Sequence, residues 1–309
     1  MKIVFMGTPE FSVPTLSALA QANCEIGYVI TQPDKARDRG KKIQPTPVKE
    51  CAQALNIEVL QPEKVKGNSE LFALLGNFQP DLIVVIAYGK ILPVELLKLP
   101  RLGCINVHAS LLPKYRGAAP IQRSILEGDA QTGVTLMYME EGLDTGDMIA
   151  VSKTDIDKKN AESLHDELSQ MGAKLLVETL PAIEAGEIVR IKQNDALATY
   201  APMIFKSDGL IDFSKGADAV ERLIRGLYPW PGAYTYLAGE TFKIWEAIAT
   251  DEKNEAEDGT VTAANADGIA IASGGKTLLA TVVQVPGKKK MRVDDYLKGK
   301  NIEKYTHLG

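Results

Sequence analysis

Residues 82–87 (LIVVIA) constrain the fold more than any other part of the sequence, because all six are apolar. A strand with one face in solvent alternates apolar and polar residues, whereas this run is typical of a central strand covered by helices on both sides. Apolar runs alternate with amphipathic stretches along the N-terminal part of the chain, which indicates parallel strands joined by crossover helices. The predicted strands are 3–6, 26–30, 57–60, 82–87, 104–108 and 134–139. The predicted helices are 13–21, 48–55, 69–78, 94–97, 121–126 and 161–185.

The pattern changes from about residue 206 onward. One helical segment (217–225) precedes short strand-like runs separated by Pro, Gly and acidic turns, at 241–247, 259–263, 268–272 and 277–284. The chain has 309 residues, and single cores stop growing at roughly 250 residues, which favours two domains. We therefore predict an α/β protein with a Rossmann-like, mostly parallel sheet in the N-terminal domain and a smaller C-terminal OB-like β-barrel domain. The expected boundaries are 1–188 for the catalytic domain, 189–205 for a linker and 206–309 for the C-terminal domain.

Composition restricts the location and the chemistry. No segment approaches the apolar length of a membrane span, and the apolar start of the chain is better explained as a first strand than as a signal peptide. We therefore expect a cytoplasmic protein without a membrane partner. The three cysteines, Cys24, Cys51 and Cys104, form no CxxC pair. An odd count without an export signal favours reduced thiols over disulfides or structural zinc, and no metal is expected.

The turn after the first strand, residues 7–11 (GTPEF), occupies the position of the phosphate cradle in a dinucleotide fold. Pro9 has no amide hydrogen to offer an anion, and the second and third glycines of the GxGxxG pattern are absent. A nicotinamide or flavin dinucleotide is therefore disfavoured. Gly7 is explained equally well as a turn glycine or as a substrate contact.

Residues 103–113 (GCINVHASLLP) contain the most informative polar pair, Asn106 and His108. Residues two apart in a strand share a face, so both side chains point the same way at the carboxyl end of a strand, where open α/β sheets keep their sites. An Asn amide can donate to an oxyanion, and an imidazole can donate or accept. The alternative is a hydrogen-bonded histidine at a strand end beside a turn-forming Asn.

Residues 140–147 (EEGLDTGD) supply carboxylates on a tight turn after the next strand. Asp144 in this turn is a candidate to orient an imidazole and stabilise its charge. The alternative is an ordinary acidic hairpin turn.

Asn106, His108 and Asp144, with 110–113 (SLLP) between them, together resemble the signature of the 10-formyltetrahydrofolate-dependent formyltransferases. The resemblance extends through 113–122 (PKYRGAAPIQ) and 142–147 (GLDTGD), and in outline it covers nearly the whole chain. It implies that a formyl group passes from 10-formyltetrahydrofolate to an amine without a metal. Asn106 and protonated His108 would stabilise the oxyanion of a tetrahedral intermediate, while Asp144 would sustain the charge on His108 and assist proton movement.

The same resemblance implies a set of folate contacts, although each apolar member taken alone is better explained as core. These residues are Ile86, Ala87, Tyr88, Gly89, Ser110, Leu111, Leu112, Pro113, Leu136 and Asp144.

Members of this family differ in the amine that attacks. Glycinamide ribonucleotide formyltransferases hold a phosphate on a Gly- and Ser-rich turn after the first strand, where this chain has Pro9 and Glu10. This difference argues against a phosphoribosyl substrate.

The net charge of −5 gives no global reason to expect nucleic acid, so a basic surface must be local. Residues 34–49 carry six basic and two acidic residues, and they resemble the insertion that tRNA-acting members use. The residues expected to bind tRNA are Arg37, Arg39, Lys41, Lys42, Lys288, Lys289 and Lys290.

The resemblance therefore implies formylation of methionine on initiator tRNA, giving formylmethionyl-tRNA for translation initiation, by an enzyme expected to be a monomer. A family member acting on an amino-sugar nucleotide is the main alternative, because such enzymes share a C-terminal domain of this kind. A 10-formyltetrahydrofolate hydrolase would use water as the nucleophile, which would leave the basic segment without a purpose. A binding module without catalysis is disfavoured by the complete set of Asn106, His108 and Asp144.

Overall fold

The computed structural model describes residues 1–37 and 42–309. The chain forms two compact units, of which the first contains 1–120, 132–154 and 165–201, and the second contains 121–131, 155–164 and 202–309. Two short segments that precede residue 188 thus belong to the second unit. Within that unit, the buried carboxylate of Glu221 accepts from Arg225 at 2.8 Å and pairs with Lys158 at 3.3 Å. These bonds hold residues 155–164 against the helix that carries Glu221.

The strands of the described chain are β1 (Lys2–Gly7), β2 (Glu25–Ile30), β3 (Lys35–Arg37), β4 (Lys42–Gln44), β5 (Glu58–Leu60), β6 (Leu82–Ile86), β7 (Cys104–His108), β8 (Arg116–Gly117), β9 (Gln131–Tyr138), β10 (Met148–Asp155), β11 (Tyr200–Ala201), β12 (Ala233–Leu237), β13 (Glu240–Lys253), β14 (Val261–Asn265), β15 (Gly268–Ser273), β16 (Lys276–Gln284) and β17 (Met291–Arg292). The helices are α1 (Val13–Gln21), α2 (Pro47–Ala54), α3 (Ser69–Phe78), α4 (Val94–Leu97), α5 (Pro120–Glu127), α6 (Ala161–Ala185), α7 (Ala217–Gly226) and α8 (Val293–Leu297).

The large sheet of the first unit has the order β10-β9-β7-β6-β1-β2-β5. The pairs β1–β2, β1–β6, β2–β5 and β6–β7 are parallel, and β9 runs antiparallel to β7. All five residues of β6 are buried, as predicted for a central strand of apolar sequence. The N-terminal part is therefore α/β with a parallel-rich sheet, which confirms the prediction.

The carboxyl ends of the parallel strands meet at one edge of this sheet. Gly7 at the end of β1 lies in register with Ile86 at the end of β6, and β6 pairs in turn with β7, which ends at His108. The segments that follow β1, β6 and β7 are therefore neighbours. This is the edge at which open α/β sheets bind their ligands.

The second unit contains an antiparallel sheet of order β12-β13-β16-β15-β14, with β17 paired to β16. Helix α7 contributes Ala217, Val220 and Ile224 to the core beneath it, together with Phe242 and Ile244 of β13. Among the described residues the sheet ends at β12 and β14, and no ladder joins these two strands. The antiparallel sheet domain agrees with the prediction, and closure into an OB-like barrel stays a prediction.

In the part of the chain that the structure describes, no helix has both the length and the apolar character needed to cross a membrane.

Candidate active site

Strand β7 places Asn106 and His108 on one face, as the spacing predicted. In register with β9, Asn106 lies opposite Met137 and His108 lies opposite Thr135. The His108 side chain is buried, with 6% of its surface exposed, and Asn106 is half-buried. The two polar groups therefore converge at the end of the strand, one almost enclosed and one open to an incoming molecule.

Asp144 comes to this pair from the turn between β9 and β10. Its Oδ2 lies 3.6 Å from His108 Nδ1 and its Oδ1 lies 3.5 Å from Asn106 Nδ2. The backbone N–H of Gly117 donates to Oδ2 at 2.8 Å, which fixes the carboxylate. Asp144 has a φ of +52°, in the left-handed region that Asp and Asn tolerate better than most residues. The fold thus brings together the three residues that the sequence singled out, from positions 38 residues apart.

The other nitrogen of the His108 ring is already engaged. Nε2 lies 2.9 Å from the backbone carbonyl oxygen of Tyr115. A carbonyl can only accept, so we assign the proton to Nε2, as the hydrogen-bond network requires. Nδ1 is then the ring nitrogen that faces Asp144 and is left to gain or lose a proton during a reaction.

A second layer of polar contacts surrounds the three residues. The guanidinium of Arg116, which is 3% exposed, donates to Gln193 Oε1 through Nε at 3.0 Å and through Nη2 at 2.8 Å. Gln193 Nε2 donates to the carbonyl oxygens of Asp144 and Gly146, both at 2.8 Å. The sequence reasoning missed Gln193, since nothing local distinguishes it within a polar stretch that was predicted to be a linker.

The last residue of β6 and the loop that follows it supply four of the predicted folate contacts. Tyr88 is 2% exposed and lies in the hydrophobic core, where burial raises the pKa of its phenol to about 12. Ile86 is fully buried, and its carbonyl oxygen accepts from Ser12 Oγ at 2.8 Å. Ala87 and Gly89 are exposed and have φ values of +46° and +80°. In this loop, the surface open to a ligand therefore belongs to Ala87 and Gly89.

The segment after β7 carries the next four predicted contacts. Ser110 is fully buried and donates through Oγ to the carbonyl of Lys114 at 2.6 Å, while Leu112 is 6% exposed. Thr135 ties this segment to β9, because its Oγ1 donates to the Ser110 carbonyl at 2.7 Å and accepts from the Leu112 N–H at 3.2 Å. Leu111 and Pro113 are half-buried. They give this segment its accessible apolar surface, whereas Leu136 on β9 is fully buried.

Gly7 owes its identity to packing. A Cβ at this position would lie 2.8 Å from Ser12 Cβ, which is closer than real Cβ contacts allow. The close approach lets the Ser12 hydroxyl reach the end of β6, as described above. Packing at the end of β1 therefore accounts for this glycine, without a turn conformation or a substrate contact.

The basic segment 34–49 is described only in part. Arg39 and Lys41 lie outside the described residues. The backbones of Arg37 and Lys42 are paired in register where β3 ends and β4 begins. Lys49, counted as part of the basic excess, donates to Asp34 at 2.5 Å and to Gln61 at 2.7 Å. This ion pair joins the two ends of the segment, so the lysine stabilises the base of the loop.

The second unit carries a group of cations over aromatic rings. Lys288, Lys289 and Lys290 are exposed, and Lys290 Nζ lies 3.7 Å from the centroid of the Trp245 ring and 4.0 Å from that of Tyr228. Lys243 lies over the same indole at 5.1 Å. Its pKa is lowered, chiefly by burial and further by the nearby positive charges of Lys206 and Lys290. Like charges gathered on one aromatic surface favour an anionic partner.

Among the described residues, no group of three or more His, Cys, Asp and Glu side chains is arranged to hold a metal ion.

Comparison with known proteins gives the same family for both parts of the chain. Residues 1–180 match the formyl transferase family, and residues 203–301 match the formyl transferase C-terminal domain. The chain is 48% identical to the methionyl-tRNA formyltransferase of Clostridioides difficile (strain 630), with 100% of both chains covered. It is 49% identical to the methionyl-tRNA formyltransferase of Bacillus velezensis, over 100% of this chain and 98% of that protein.

Solved structures share the fold at lower identity. The N-formyltransferase from Helicobacter canadensis, in complex with folinic acid and dTDP-3-aminofucose, gives a TM-score of 0.68 at 20% identity and covers 91% of this chain and 98% of that chain. HypX from Aquifex aeolicus, in complex with tetrahydrofolic acid, gives a TM-score of 0.61 at 17% identity and covers 99% of this chain and 51% of that chain.

Proposed function

This chain belongs to the formyl transferase family, and we propose that it transfers the formyl group of 10-formyltetrahydrofolate to the amino group of methionine on initiator methionyl-tRNA. The product, N-formylmethionyl-tRNA, serves translation initiation. The observation that carries the proposal is the convergence of Asn106, His108 and Asp144 at the carboxyl end of β7. Full-length similarity to methionyl-tRNA formyltransferases supports the acceptor.

The reaction begins when the acceptor amine attacks the formyl carbon and the carbonyl electron pair moves to oxygen. The resulting oxyanion needs donors that are already in place. Asn106 Nδ2 supplies a neutral N–H, and His108 supplies a charged one when Nδ1 is protonated. The intermediate collapses by breaking the bond between the formyl carbon and N10. The amine loses one proton and N10 gains one, so no net proton is consumed.

Asp144 acts on the proton rather than on the formyl group. Its Oδ2 faces His108 Nδ1 at 3.6 Å, which is longer than a direct hydrogen bond. The carboxylate stabilises the charged imidazole across this gap, and a water molecule or closure around the substrate completes the path for the proton. The Gly117 N–H keeps the carboxylate aimed at the ring.

The accessible residues near the site fit the folate donor. Ala87 and Gly89 offer exposed backbone, and Leu111 and Pro113 offer apolar surface at the other side of the β6–β7 pair. The buried members of the predicted set, Ile86, Tyr88, Ser110, Leu112 and Leu136, shape these segments from within. We propose that only the first group contacts the folate through side chains or exposed backbone.

The acceptor is bound by basic side chains and aromatic rings. We assign phosphate contacts to Arg37, Arg39, Lys41, Lys42, Lys288, Lys289 and Lys290. Unpaired RNA ends are recognised by stacking and by exposed bases, and the exposed indole of Trp230 offers such a ring face in the second unit. We further propose that this unit forms an OB-like tRNA-binding domain, and that the enzyme works as a monomer in the cytoplasm, where charged initiator tRNA is used.

Single-turnover transfer of labelled formyl from 10-formyltetrahydrofolate tests the proposal. The acceptors compared are methionyl initiator tRNA, the same tRNA uncharged, an amino-sugar nucleotide, and water alone. We expect label only on the charged tRNA. Transfer to the sugar alone would keep the chemistry and overturn the acceptor, and formate release without an amine would indicate a hydrolase.

A further inference from the structure

Gln193 is a buried polar side chain in an exposed part of the chain. It is 5% exposed, whereas residues 191, 192, 194 and 195 are all exposed. A buried amide is stable only when its donors and acceptors are used. Here both are used twice, since Nε2 donates to two carbonyl oxygens at 2.8 Å and Oε1 accepts two N–H groups of Arg116 at 3.0 and 2.8 Å. Every strong hydrogen bond available to this side chain is therefore made.

The two carbonyl oxygens bound by Gln193 belong to Asp144 and Gly146. Both come after the Asp144 Cα in the chain, and Asp144 has a φ of +52° in the left-handed region. A single amide group thus holds the backbone on both sides of Thr145. The direction of the Asp144 side chain depends on this backbone, so the amide helps to set where the carboxylate points.

Gln193 Oε1 binds Arg116, and the residue before Arg116 contacts the catalytic histidine. This residue, Tyr115, accepts from His108 Nε2 through its carbonyl oxygen, and Gly117 on the other side of Arg116 donates its N–H to Asp144 Oδ2. Three consecutive residues therefore contact His108, Gln193 and Asp144. Gln193 links the middle of this segment to the Asp144 turn, and a fully satisfied buried network of this kind is rigid.

We propose that Gln193 is a positioning residue, which sets the separation between His108 Nδ1 and Asp144 Oδ2 by holding the Asp144 turn with its amide and residues 115–117 through Arg116. The inference rests on the proposed formyl transfer, because it assigns Gln193 to that reaction. Gln193 itself touches neither substrate. Its contribution is to place two groups that have to be held within about 0.5 Å of a productive geometry.

Two substitutions test the N–H donors and the oxygen acceptor of the Gln193 amide. Gln193→Met has a similar volume and no hydrogen bonds, whereas Gln193→Glu keeps the acceptor for Arg116 and has no N–H for the carbonyls of Asp144 and Gly146. We expect both to lower kcat for formyl transfer by roughly 10- to 100-fold, the effect of misplacing a catalytic group by about 1 Å. The KM for folate and for tRNA should change little. Lys192→Ala is the matched control, because Lys192 is an exposed neighbour of Gln193.

A double-mutant cycle distinguishes positioning from general destabilisation. Asp144→Asn keeps a residue that tolerates a positive φ, and Gln193→Met added to it should lower kcat less than twofold further. Independent losses that multiply would show that Gln193 does not act through Asp144, and they would overturn the proposal. So would a folded Gln193→Met enzyme with kcat within twofold of the unsubstituted protein.

A spectroscopic readout keeps the proposal separate from the assigned reaction. The chain has three histidines, so the ring ¹⁵N resonances of His108 can be assigned against those of His165 and His307. We expect Gln193→Met to shift the His108 resonances and to leave the other two in place, with no shift in Lys192→Ala. Unchanged His108 resonances would overturn the positioning role. Absence of formyl transfer by the unsubstituted protein would instead overturn the proposed function.

Discussion

Substitution of Asn106 by Ala removes one amide donor from the site and little else. Among the described residues, the only hydrogen bond of the Asn106 side chain is to Asp144 at 3.5 Å, which is long for an N–H···O bond. The backbone of Asn106 remains in the ladder opposite Met137. We therefore expect the free energy of unfolding to fall by about 1 kcal/mol or less. Loss of one preorganised oxyanion donor costs roughly 2.7 to 4 kcal/mol, so kcat should fall by about 10²- to 10³-fold.

The assay is single-turnover formyl transfer at saturating folate and methionyl initiator tRNA, with urea unfolding measured on the same preparations. The KM values should change little, because the oxyanion exists only after attack. Asn301→Ala, at an exposed position, is the matched control and should behave like the unsubstituted protein. A rate for Asn106→Ala within fivefold of that of the unsubstituted protein would refute the oxyanion role, provided that the variant unfolds at a similar urea concentration.

Three further predictions follow from burial and charge. The Tyr88 hydroxyl is buried without a hydrogen-bond partner among the described residues. Tyr88→Phe should therefore raise the free energy of unfolding by about 1 kcal/mol, as measured by urea titration. A decrease of that size would contradict the prediction. Burial raises the pKa of the Cys104 thiol to about 12, and the thiolate is the form that reacts. Iodoacetamide at pH 8 should therefore label Cys104 only after unfolding, which mass spectrometry would show. If Lys289 binds a phosphate, Lys289→Ala should reduce the slope of log affinity for tRNA against log salt by about 1, and an unchanged slope would remove Lys289 from the interface.

Several elements were predicted from sequence at their observed bounds. Helices α1, α3 and α6 begin and end where the apolar spacing placed them. Local signals mark such ends, as at α3, where the side chain of Asn68 accepts from the N–H of Leu71. The antiparallel strand β12 (Ala233–Leu237) was missed. It follows a stretch rich in Pro and Gly, and its pairing with β13 is a contact that no short window of sequence contains.

The predicted linker shows the limit of local reasoning most clearly. Residues 189–205 were predicted to be a linker, and within this range Gln193 binds Arg116 across 77 residues and Thr199 accepts from the N–H of Tyr115 across 84 residues. The side chain of Tyr88, for which the family resemblance implied a folate contact, lies in the core. Both outcomes depend on which distant segments pack together.

The sequence by itself determined the order of strands and helices in the N-terminal part and the shared direction of Asn106 and His108, because periodicity and a two-residue spacing are properties of the local backbone. Only the tertiary structure decided which nitrogen of His108 faces Asp144, how the Asp144 turn is held, and which of the proposed folate contacts are accessible. These depend on hydrogen bonds and burial between segments far apart in the chain. Their geometry arises when the sheet edge and the returning segment around Gln193 close on each other.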